Sequence, residues 1–334
     1  MEKYLITKFD THGREPVLHK MKDGSLLCTF LTGDRKEPRN GNVVEVARSF
    51  DDGKTWTERS ILFQHPNRGV WCTDICDFDG ETIAAIHLFN GETNYRELQT
   101  LYSTTQDNGA TWSEPLAFSG HMNGCSLRQG VTLSNGDYFY PLYWQETTCK
   151  FDYFSFECQY PGWKFRGGAG ISHDKGKTWY RYGYFANDVV HYWENNAVEV
   201  EDGHIVMYFR ASNATERTLA ITESFDYGKT WTEIKQSDIP SSDSKIILKK
   251  IKNKIFLINN FGVEKRGFEG RTNLEIHVSD DGKNFKKVLE VCQPQEAFFY
   301  PHAYADDEKE ILYVAYENVK EHYLAKISYK ELGL

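Results

Sequence analysis

Short apolar segments recur along the chain, and each one follows a polar turn. Asp-Gly and Asn-Gly dipeptides between alternating segments are the strongest short signal for a β-hairpin. Four of the turns carry this signal, and two looser ones precede Lys254-Ile-Phe-Leu-Ile and Ile311-Leu-Tyr-Val-Ala-Tyr316. The turns lie at Asp23-Gly24, Asp79-Gly80, Asn135-Gly136, Asp202-Gly203, Lys252-Asn253 and Asp307-Glu308. The pattern predicts six hairpins in one chain.

An eight-residue motif follows five of these hairpins. Its copies are Ser49-Phe-Asp-Asp-Gly-Lys-Thr-Trp56, Thr105-Gln-Asp-Asn-Gly-Ala-Thr-Trp112, Ser172-His-Asp-Lys-Gly-Lys-Thr-Trp179, Ser224-Phe-Asp-Tyr-Gly-Lys-Thr-Trp231 and the degenerate Val278-Ser-Asp-Asp-Gly-Lys-Asn-Phe285. An Asp side chain can accept backbone N–H groups of its own turn, and Gly supplies the positive φ that the turn needs. Trp can then anchor the turn on the sheet. We interpret this Asp box as a structural turn that does not touch a ligand.

Repeats of about 40–50 residues built from short strands indicate a propeller rather than a sandwich. We predict an all-β fold, a six-bladed β-propeller of four-stranded antiparallel blades, as a single domain over residues 1–334. The sixth unit has only Glu317–Leu334 after its hairpin, so we expect it to borrow Tyr4–Phe9 and close the ring. No long 3.6-residue apolar period predicts a helix. Residues 145–166 are interpreted as an elaborated loop of the third unit, not as a separate domain.

Composition narrows the possible partners. The chain has 39 Lys and Arg against 48 Asp and Glu, a formal net charge of −9, which argues against a nucleic-acid partner. No apolar run approaches the roughly 20 residues of a membrane span, so no membrane partner is expected. Seven cysteines without tight metal spacing predict neither a metal nor another cofactor. The first residues lack the apolar core of a signal peptide, so we expect a cytoplasmic monomer or small homo-oligomer, unless a leader has been removed.

A propeller places the first strand of every blade against the central channel. Residues about ten positions before each turn should therefore converge there. They are Arg14, Val70 and Trp71, Ser126 and Leu127, Trp193 and Glu194, Asp243, and Tyr300. Alone, each of the Arg, Glu and Tyr side chains is more often a surface or core residue than a functional one. Their convergence from three distant segments makes them candidates for chemistry.

The same positions resemble the bacterial-type sialidase (neuraminidase) superfamily. Arg14-Glu-Pro16 is similar to the Arg-x-Pro that opens the first blade of that family. The segment Trp193–Val200 resembles its Asn-Glu-Pro segment, and Arg210 its second arginine. Arg271-Thr-Asn-Leu274 resembles the third arginine, and Phe299-Tyr-Pro-His302 stands where the family has its nucleophilic tyrosine. The order of these residues and the gaps between them are also similar, and the likeness covers the whole chain.

The resemblance implies a sialidase-like exo-glycosidase that hydrolyses a terminal sialic acid, or a related 2-keto acid sugar, with retention of configuration. Arg14, Arg210 and Arg271 would bind the substrate carboxylate, because guanidinium groups form bidentate charged hydrogen bonds that Lys cannot reproduce. Tyr300 would be the nucleophile and Glu194 its base. A neutral tyrosine avoids the repulsion that a carboxylate nucleophile would meet, and sialidases depart from the two-carboxylate scheme in this way.

Some positions depart from the pattern of the family. In the loop 32–42, where the family has its acid/base aspartate, Glu37 is nearest the expected place and Asp34 is a few residues early. Asn-Asn follows Glu194 and Pro-His follows Tyr300, so the chain could act on another acidic glycan. Residues that could line such a pocket are Trp71, Asp74, Gln129, Trp193 and His302. Two alternatives stay open: a relative that works on another acidic glycan or by transfer or elimination, and a catalytically silent carbohydrate-binding propeller.

Overall fold

The recurring apolar segments form six antiparallel sheets arranged as the blades of a propeller. The protein is represented by a computed structural model, which describes residues 1–93, 95–146, 164–265 and 267–334. The Asp-Gly and Asn-Gly turns join the first and second strands of a blade, and the Asp boxes join the third and fourth. The predicted all-β, six-bladed propeller is confirmed.

The first three blades follow one another directly in the sequence. Blade 1 consists of β2 Arg14–Lys20, β3 Leu26–Thr32, β4 Val43–Ser49 and β5 Ser60–Phe63. Blade 2 consists of β6 Gly69–Phe78, β7 Glu81–Asn90, β8 Arg96–Thr105 and β9 Leu116–Ala117. Blade 3 has its inner strand in two pieces, β10 Cys125–Leu127 and β11 Val131–Thr132, followed by β12 Tyr138–Gln145, β13 Phe165–Ser172 and β14 Tyr180–Phe185.

The other three blades complete the ring. Blade 4 consists of β15 His191–Glu201, β16 His204–Ser212, β17 Thr218–Ser224 and β18 Lys235–Pro240. Blade 5 consists of β19 Ile247–Ile251, β20 Lys254–Asn260, β21 Leu274–Ser279 and β22 Lys286–Glu290. Blade 6 consists of β23 Phe299–Asp306, β24 Ile311–Glu317, β25 Glu321–Ser328 and the N-terminal strand β1 Glu2–Lys8.

The N-terminal strand closes the ring, as expected from the short sixth unit. Strand β1 pairs antiparallel with β25, from Glu2 opposite Lys326 to Lys8 opposite Glu321. The amino group of Met1 contacts the carboxylate of Glu331. Blade 6 thus combines strands from both ends of the chain, which leaves β25 no free edge.

The core lies between neighbouring blades rather than on one side of a sheet. All seven residues of β3 are buried, because both faces of the blade pack against other blades. Helix is limited to three short 3-10 segments in the described ranges, at Gly91–Thr93, Gly120–Met122 and Phe268–Gly270. Over those ranges, no helix is long and apolar enough to cross a membrane.

The Asp boxes are structural turns, as predicted. The carboxylate of Asp51 accepts hydrogen bonds from the Thr55 backbone N–H at 2.9 Å and from the Thr55 hydroxyl at 2.7 Å. The indole N–H of Trp56 donates to the carbonyl of Gly53 at 3.1 Å. Asp107, Asp174 and Asp226 bind Thr111, Thr178 and Thr230 in the same way.

The interpretation of residues 145–166 as a loop needs a correction at both ends. Gln145 is the last residue of β12, and Phe165 is the first residue of β13. The two pair directly with each other, so both ends of the predicted loop belong to the β12–β13 ladder. The rest of the predicted loop, residues 147–163, lies outside the described residues.

Candidate active site

Irregular backbone marks the inner strands where they reach the mouth of the channel. The strand register shifts between Arg14 and Val17, between Trp193 and Asn196, and between Phe299 and His302. Within these bulges Glu15, Glu194 and Tyr300 have positive φ values of 49°, 45° and 53°. A bulge re-aims a side chain and often lies next to an active site. Blades 1, 4 and 6 therefore present side chains to the channel through the same backbone device.

These side chains surround a cavity of about 250 Å³ at one end of the channel. Its charged side is formed by residues of blades 1, 4, 5 and 6, and its aromatic side mainly by blades 2, 3 and 4. The charged lining residues are Arg14, Glu15, Glu37, Glu194, Arg210 and Arg271, with Tyr300 among them. The aromatic wall consists of Trp71, Tyr95, Tyr143, Trp144, Phe165 and Trp193, and Phe268 lies beside the arginines.

Tyr300 and Glu194 are joined by a direct hydrogen bond. The Tyr300 hydroxyl donates to Oε1 of Glu194 at 2.8 Å, although the two residues come from blades 6 and 4. Arg210 binds both, with its Nη1 at 2.7 Å from Oε2 of Glu194 and 3.1 Å from the Tyr300 hydroxyl. Both Tyr300 and Glu194 are 6% exposed. The pair has the geometry of a nucleophile and its base.

The charges around this pair hold the proton on Tyr300 in the resting state. Burial by itself would raise the pKa of Glu194, but Arg210 and Arg128 outweigh it and lower the pKa to about 2. Burial and the neighbouring Glu194 carboxylate raise the pKa of Tyr300, while Arg210, Arg271 and Arg14 oppose that rise. Glu194 is thus an ionised acceptor beside a protonated phenol. The three arginines would stabilise negative charge that develops on the phenol oxygen.

The three predicted arginines meet in the cavity, although they come from blades 1, 4 and 5. The guanidinium groups of Arg14 and Arg271 lie 4.6 and 4.9 Å from the centre of the Tyr300 ring. Arg14 is held by Glu317 at 2.7 Å and by Glu37 at 3.0 Å. Arg210 donates its Nε to Asp243 at 2.5 Å. These acidic partners hold the guanidinium groups of Arg14 and Arg210 in place before a ligand arrives.

Arg271 differs from the other two arginines. Its Nη1 is buried and has no hydrogen-bond partner within the described part of the chain. Burial lowers the pKa of Arg271, and the positive charges of Arg210 and Arg14 lower it further. An unpaired nitrogen of this kind, at the wall of a cavity with two more guanidinium groups, fits an anionic ligand group.

Residues 24–313 match the family model described as a BNR repeat-like domain. The chain belongs to this family. The matched range contains all five Asp boxes, and the likeness to the bacterial-type sialidase superfamily that the sequence indicated is confirmed.

Relatives of this BNR repeat-like protein include sialidases. A sialidase of Bacteroides fragilis (strain YCH46) is 25% identical over 278 residues, which cover 72% of this chain and 47% of that protein. The chain therefore spans about half the length of this relative. Among solved structures, a Hadza microbial sialidase superposes with a TM-score of 0.74 at 17% identity, covering 96% of this chain and 66% of its own. A protein of unknown function from Dyadobacter fermentans superposes with a TM-score of 0.73 at 17% identity, covering 98% of this chain and 97% of its own.

The loop 32–42 of the BNR repeat-like protein contributes one carboxyl group to the cavity. Glu37 lines the cavity, its side chain is 20% exposed, and it accepts a hydrogen bond from Arg14. Burial raises the pKa of Glu37, and this outweighs the opposing effect of Arg14. Asp34 is not among the lining residues; its carboxylate accepts the N–H of the neighbouring Arg35 at 2.6 Å. Of the two candidate acids, only Glu37 faces the cavity.

The five predicted lining residues divide into two groups. Trp71 and Trp193 line the cavity, and Trp193 stacks on Arg210 with the guanidinium 4.5 Å from its ring. Asp74, Gln129 and His302 do not line it, which corrects their expected position. Asp74 accepts the Gly130 N–H at 2.7 Å, Gln129 accepts from Asn196 at 3.1 Å, and His302 accepts the Leu18 N–H at 3.1 Å. They tie neighbouring blades together deeper in the channel.

Four charged residues at the site were missed by the sequence reasoning. Glu15 accepts a hydrogen bond from Arg128 at 2.8 Å and lies 3.6 Å from the ammonium of Lys245, and Glu317 holds Arg14. Glu15, Arg128 and Lys245 each lie within two residues of a position predicted to face the channel. A search for charged residues next to the predicted channel positions would have identified these three. Glu317, at the end of β24, carries no such signal.

The site does not resemble a metal centre. Among the residues that the structure describes, no group of three or more His, Cys, Asp or Glu side chains is arranged to hold a metal ion. The acidic side chains at the cavity are instead paired with arginine, lysine or tyrosine. The arrangement is suited to binding an anionic group and to proton transfer between Tyr300 and Glu194.

Proposed function

We propose that this protein is a retaining exo-glycosidase that removes a terminal sialic acid or a related 2-keto acid sugar. The observation that carries the proposal is the Tyr300–Glu194 hydrogen bond of 2.8 Å inside a cavity with three arginines. The names of the Bacteroides fragilis and Hadza microbial relatives agree with it. A 2-keto acid sugar carries its carboxylate on the anomeric carbon, so the arginines that bind the carboxylate would also place that carbon near Tyr300.

Each residue has a defined task in the proposed reaction. The Tyr300 oxygen attacks the anomeric carbon while the bond to the leaving oxygen breaks. The phenol proton passes to Oε1 of Glu194, and Glu37 donates its proton to the leaving oxygen. Water then displaces Tyr300 from the anomeric carbon and gives a proton to Glu37, while Glu194 returns its proton to the tyrosine. Two displacements invert twice, so the product keeps the configuration of the substrate.

The electrostatics of the cavity support these roles. An unperturbed phenol, with a pKa of about 10, is a weak nucleophile at neutral pH. A base at hydrogen-bond distance and three nearby cations reduce the cost of forming the phenolate. A tyrosine also suits this substrate, because a carboxylate nucleophile would be repelled by the carboxylate of the sugar. The raised pKa of Glu37 favours the protonated form that a general acid needs.

The test is hydrolysis of aryl glycosides of several 2-keto acid sugars, with the first product followed by NMR. Tyr300→Phe and Glu194→Gln should each lower kcat by about 100-fold or more. The double variant should be no worse than the more impaired single variant, since the two residues act as one unit. Tyr304→Phe, in the same strand β23 but away from the cavity, serves as the matched control.

Two results would refute the proposal. One is a folded Tyr300→Phe protein with the turnover of the wild type, and the other is a first product of inverted configuration. A wild-type protein that binds these sugars but turns none of them over would indicate a carbohydrate-binding propeller. A first product that is unsaturated, or is a transfer product, would indicate elimination or transfer in place of hydrolysis.

A further inference from the structure

A half-exposed phenylalanine at the cavity covers two of its three arginines. Phe268 lines the cavity and is 51% exposed, although its side chain is apolar. Its ring stacks parallel to that of Phe299, with the ring centres 5.4 Å apart. The guanidinium groups of Arg14 and Arg271 each lie 4.9 Å from the centre of the Phe268 ring. The ring thus faces charged groups on one side and solvent on the other.

The backbone around Phe268 holds its ring in this position. Phe268 opens a short 3-10 turn, and its carbonyl accepts the N–H of Arg271 at 3.1 Å. Gly267, just before it, has a φ of 73° and a ψ of −164°, a conformation that is open essentially to glycine alone. A Cβ on Gly270 would lie 2.2 Å from a backbone carbonyl oxygen, so that position has no room for a side chain. The turn therefore fixes Phe268 and Arg271 relative to each other.

Arg271 is the arginine whose charge lacks an acidic partner. Arg14 and Arg210 are each held by two carboxylates. Arg271 is buried, is paired with no carboxylate in the part of the chain that the structure describes, and keeps its Nη1 without a hydrogen bond there. A buried cation is costly unless other groups stabilise it. Groups other than a carboxylate must therefore stabilise Arg271 before a ligand arrives.

Three aromatic rings surround Arg271 in place of a carboxylate. Its guanidinium lies 4.9 Å from the ring centres of Phe268 and Tyr300 and 5.1 Å from that of Phe299. The face of an aromatic ring attracts a cation at such distances. A ring face, unlike a carboxylate, does not occupy the N–H donors that lie in the plane of the guanidinium. The arrangement stabilises the charge of Arg271 and leaves those donors to a ligand carboxylate.

Without the Phe268 ring, Arg271 would be less well prepared to bind an anion. Burial by itself would raise the pKa of Asp243, but Arg210 lowers it and Arg271 adds to this effect, so a carboxylate lies within electrostatic reach of Arg271. A guanidinium that is no longer held could turn towards this carboxylate. Water would also reach the uncovered side of the guanidinium and screen its charge. Both changes weaken the attraction between Arg271 and a carboxylate in the cavity.

We propose that Phe268 is a positioning residue whose ring face holds the guanidinium of Arg271 towards the cavity, shields it from water and so sets the affinity of the site for a carboxylate. The inference rests on the anion site of the proposed function and adds the residue that prepares this site. Phe268 acts through Arg271 and Arg14, and not by contact with the sugar. Of the three rings, Phe299 is buried and Tyr300 is the proposed nucleophile, so Phe268 is the one that can be replaced to test the idea.

The experiment measures carboxylate binding separately from turnover. Calorimetry gives the Kd of free sialic acid and of its neutral carboxamide for the wild type, Phe268→Leu and Phe268→Tyr. Phe268→Leu keeps an apolar side chain but loses the ring, so the Kd of the acid should rise roughly 3- to 30-fold while that of the carboxamide changes little. Phe268→Tyr keeps the ring and should retain the affinity of the wild type. Added salt should weaken binding of the acid more steeply in Phe268→Leu, because salt screens an exposed charge more than a covered one.

The ratio of the two Kd values separates this role from simple packing. If the ring only packs on Phe299, Phe268→Leu will leave both Kd values unchanged or raise them by the same factor, and either result would overturn the proposal. An effect confined to the hydrolysis of aryl glycosides, with unchanged binding of the free acid, would assign Phe268 to the leaving group and also overturn it. Phe50→Leu is the matched control, since it removes an exposed ring that lies 5.3 Å from the guanidinium of Arg48 away from the cavity. It should leave the ratio unchanged.

The same measurements distinguish the failure of this proposal from that of the proposed function. A wild type that prefers the acid to the carboxamide, and loses this preference in Phe268→Leu, but hydrolyses no glycoside would refute the glycosidase function and support the role of Phe268. Pyruvate, a small 2-keto acid, is a second probe that needs only the arginines, and its binding is followed by the rise in melting temperature. A wild type that binds neither sialic acid nor pyruvate would refute the anion site and this proposal with it. Phe268→Met replaces Phe268→Leu if the latter does not fold.

Discussion

At the scale of single residues, the site combines strained backbone with paired charges. Glu15, Glu194 and Tyr300 all have positive φ values, which cost side-chain-bearing residues of order 1–3 kcal/mol each. The surrounding structure holds them there through buried ion pairs, such as Arg210 with Glu194 and Arg128 with Glu15. Strain of this kind persists where it sets the direction of a functional side chain. Here it brings a phenol and a carboxylate from different blades into hydrogen-bond contact.

Arg271 should be the arginine most sensitive to a conservative change. Arg271→Lys would remove the free guanidinium nitrogen and replace a planar fork by a point charge. We expect the KM of a 2-keto acid glycoside, and the Ki of the free sugar, to rise roughly 10-fold or more, since a charged hydrogen bond contributes about 1.5–3 kcal/mol. Steady-state kinetics and inhibition measure both. Arg59→Lys on the outer side of blade 1 is the control, and an unchanged Ki for Arg271→Lys would contradict the anion site.

Loss of the proton from Glu37 should cause the alkaline limb of the pH–rate profile on natural glycosides. Burial raises its pKa, so the protonated form that acts as a general acid persists above the usual range near 4.3 and is lost as the pH rises through the raised pKa. Glu194, with a pKa of about 2, stays ionised throughout this range and contributes no limb there. Activity on a poor leaving group should therefore fall with rising pH.

Glu37→Gln provides the matching test. It should lower the rate on a natural glycoside by about 10²–10⁴-fold and remove the alkaline limb. An aryl glycoside with a good leaving group needs little protonation, so its hydrolysis should be nearly unchanged. Asp34→Asn, in the same loop but outside the cavity, should leave both substrates and the limb unaffected. A limb that survives in Glu37→Gln would assign the acid to another residue.

At the scale of elements, each Asp box is a self-contained turn that a single carboxylate holds together. In the first three boxes the Asp accepts hydrogen bonds from a Thr N–H and its hydroxyl, and from the Ser or Thr hydroxyl that opens the motif. Hydrogen bonds from the Thr side chain and backbone lower the pKa of Asp51, Asp107 and Asp174 to about 2. The box contributes to the fold through the ionised form of its Asp.

The lowered pKa values of these Asp residues predict how the stability of the fold depends on pH. A depressed pKa means that the stabilisation is fully present above the unfolded-state value of about 3.9 and is lost as the pH falls through about 2. The melting temperature should therefore decrease between about pH 4 and pH 2. Asp107→Ala should lower the melting temperature at neutral pH and make its decrease in acid less steep. The exposed Asp238→Ala in β18 is the control; equal behaviour of the two variants in differential scanning calorimetry would contradict the role of the box.

At the scale of the whole molecule, the ring depends on a strand from the other end of the chain. Strand β1 covers the edge of β25, and the buried Phe9 that follows packs on Phe30 and His322 at ring-centre distances of 5.6 and 5.0 Å. Asp52, in the first Asp box, also contacts Lys309 and Lys326 of blade 6. Blades 1 and 6 are thus joined by the packing of Phe9 and by the ion pairs of Asp52.

Removal of residues 1–9 should open this closure. It would expose the hydrogen-bonding edge of β25 and the apolar surface under Ile6 and Phe9. We expect a lower melting temperature, measured by differential scanning fluorimetry, and self-association, measured by light scattering after gel filtration. Lys3→Ala, which keeps the backbone ladder of β1, should behave like the wild type. A truncated protein that stays monomeric and keeps the melting temperature of the wild type would show that the ring closes without β1.

The repeat, the blade number and the positions of Arg14, Glu194 and Tyr300 at the channel could be predicted from the sequence alone. Turn dipeptides and Asp boxes are local signals, because their hydrogen bonds lie within a few residues, and the fixed spacing inside a blade made Arg14, Glu194 and Tyr300 countable from the turns. Which of the remaining side chains meet depends on how the blades pack around the axis. Asp74 and His302 lie on inner strands, and Gln129 lies in the break between β10 and β11. All three bond to neighbouring blades, and no local sequence pattern predicts these contacts. Glu15, Arg128 and Lys245 form one ion cluster from three blades, and contacts between residues more than 100 positions apart depend on how the blades close around the axis.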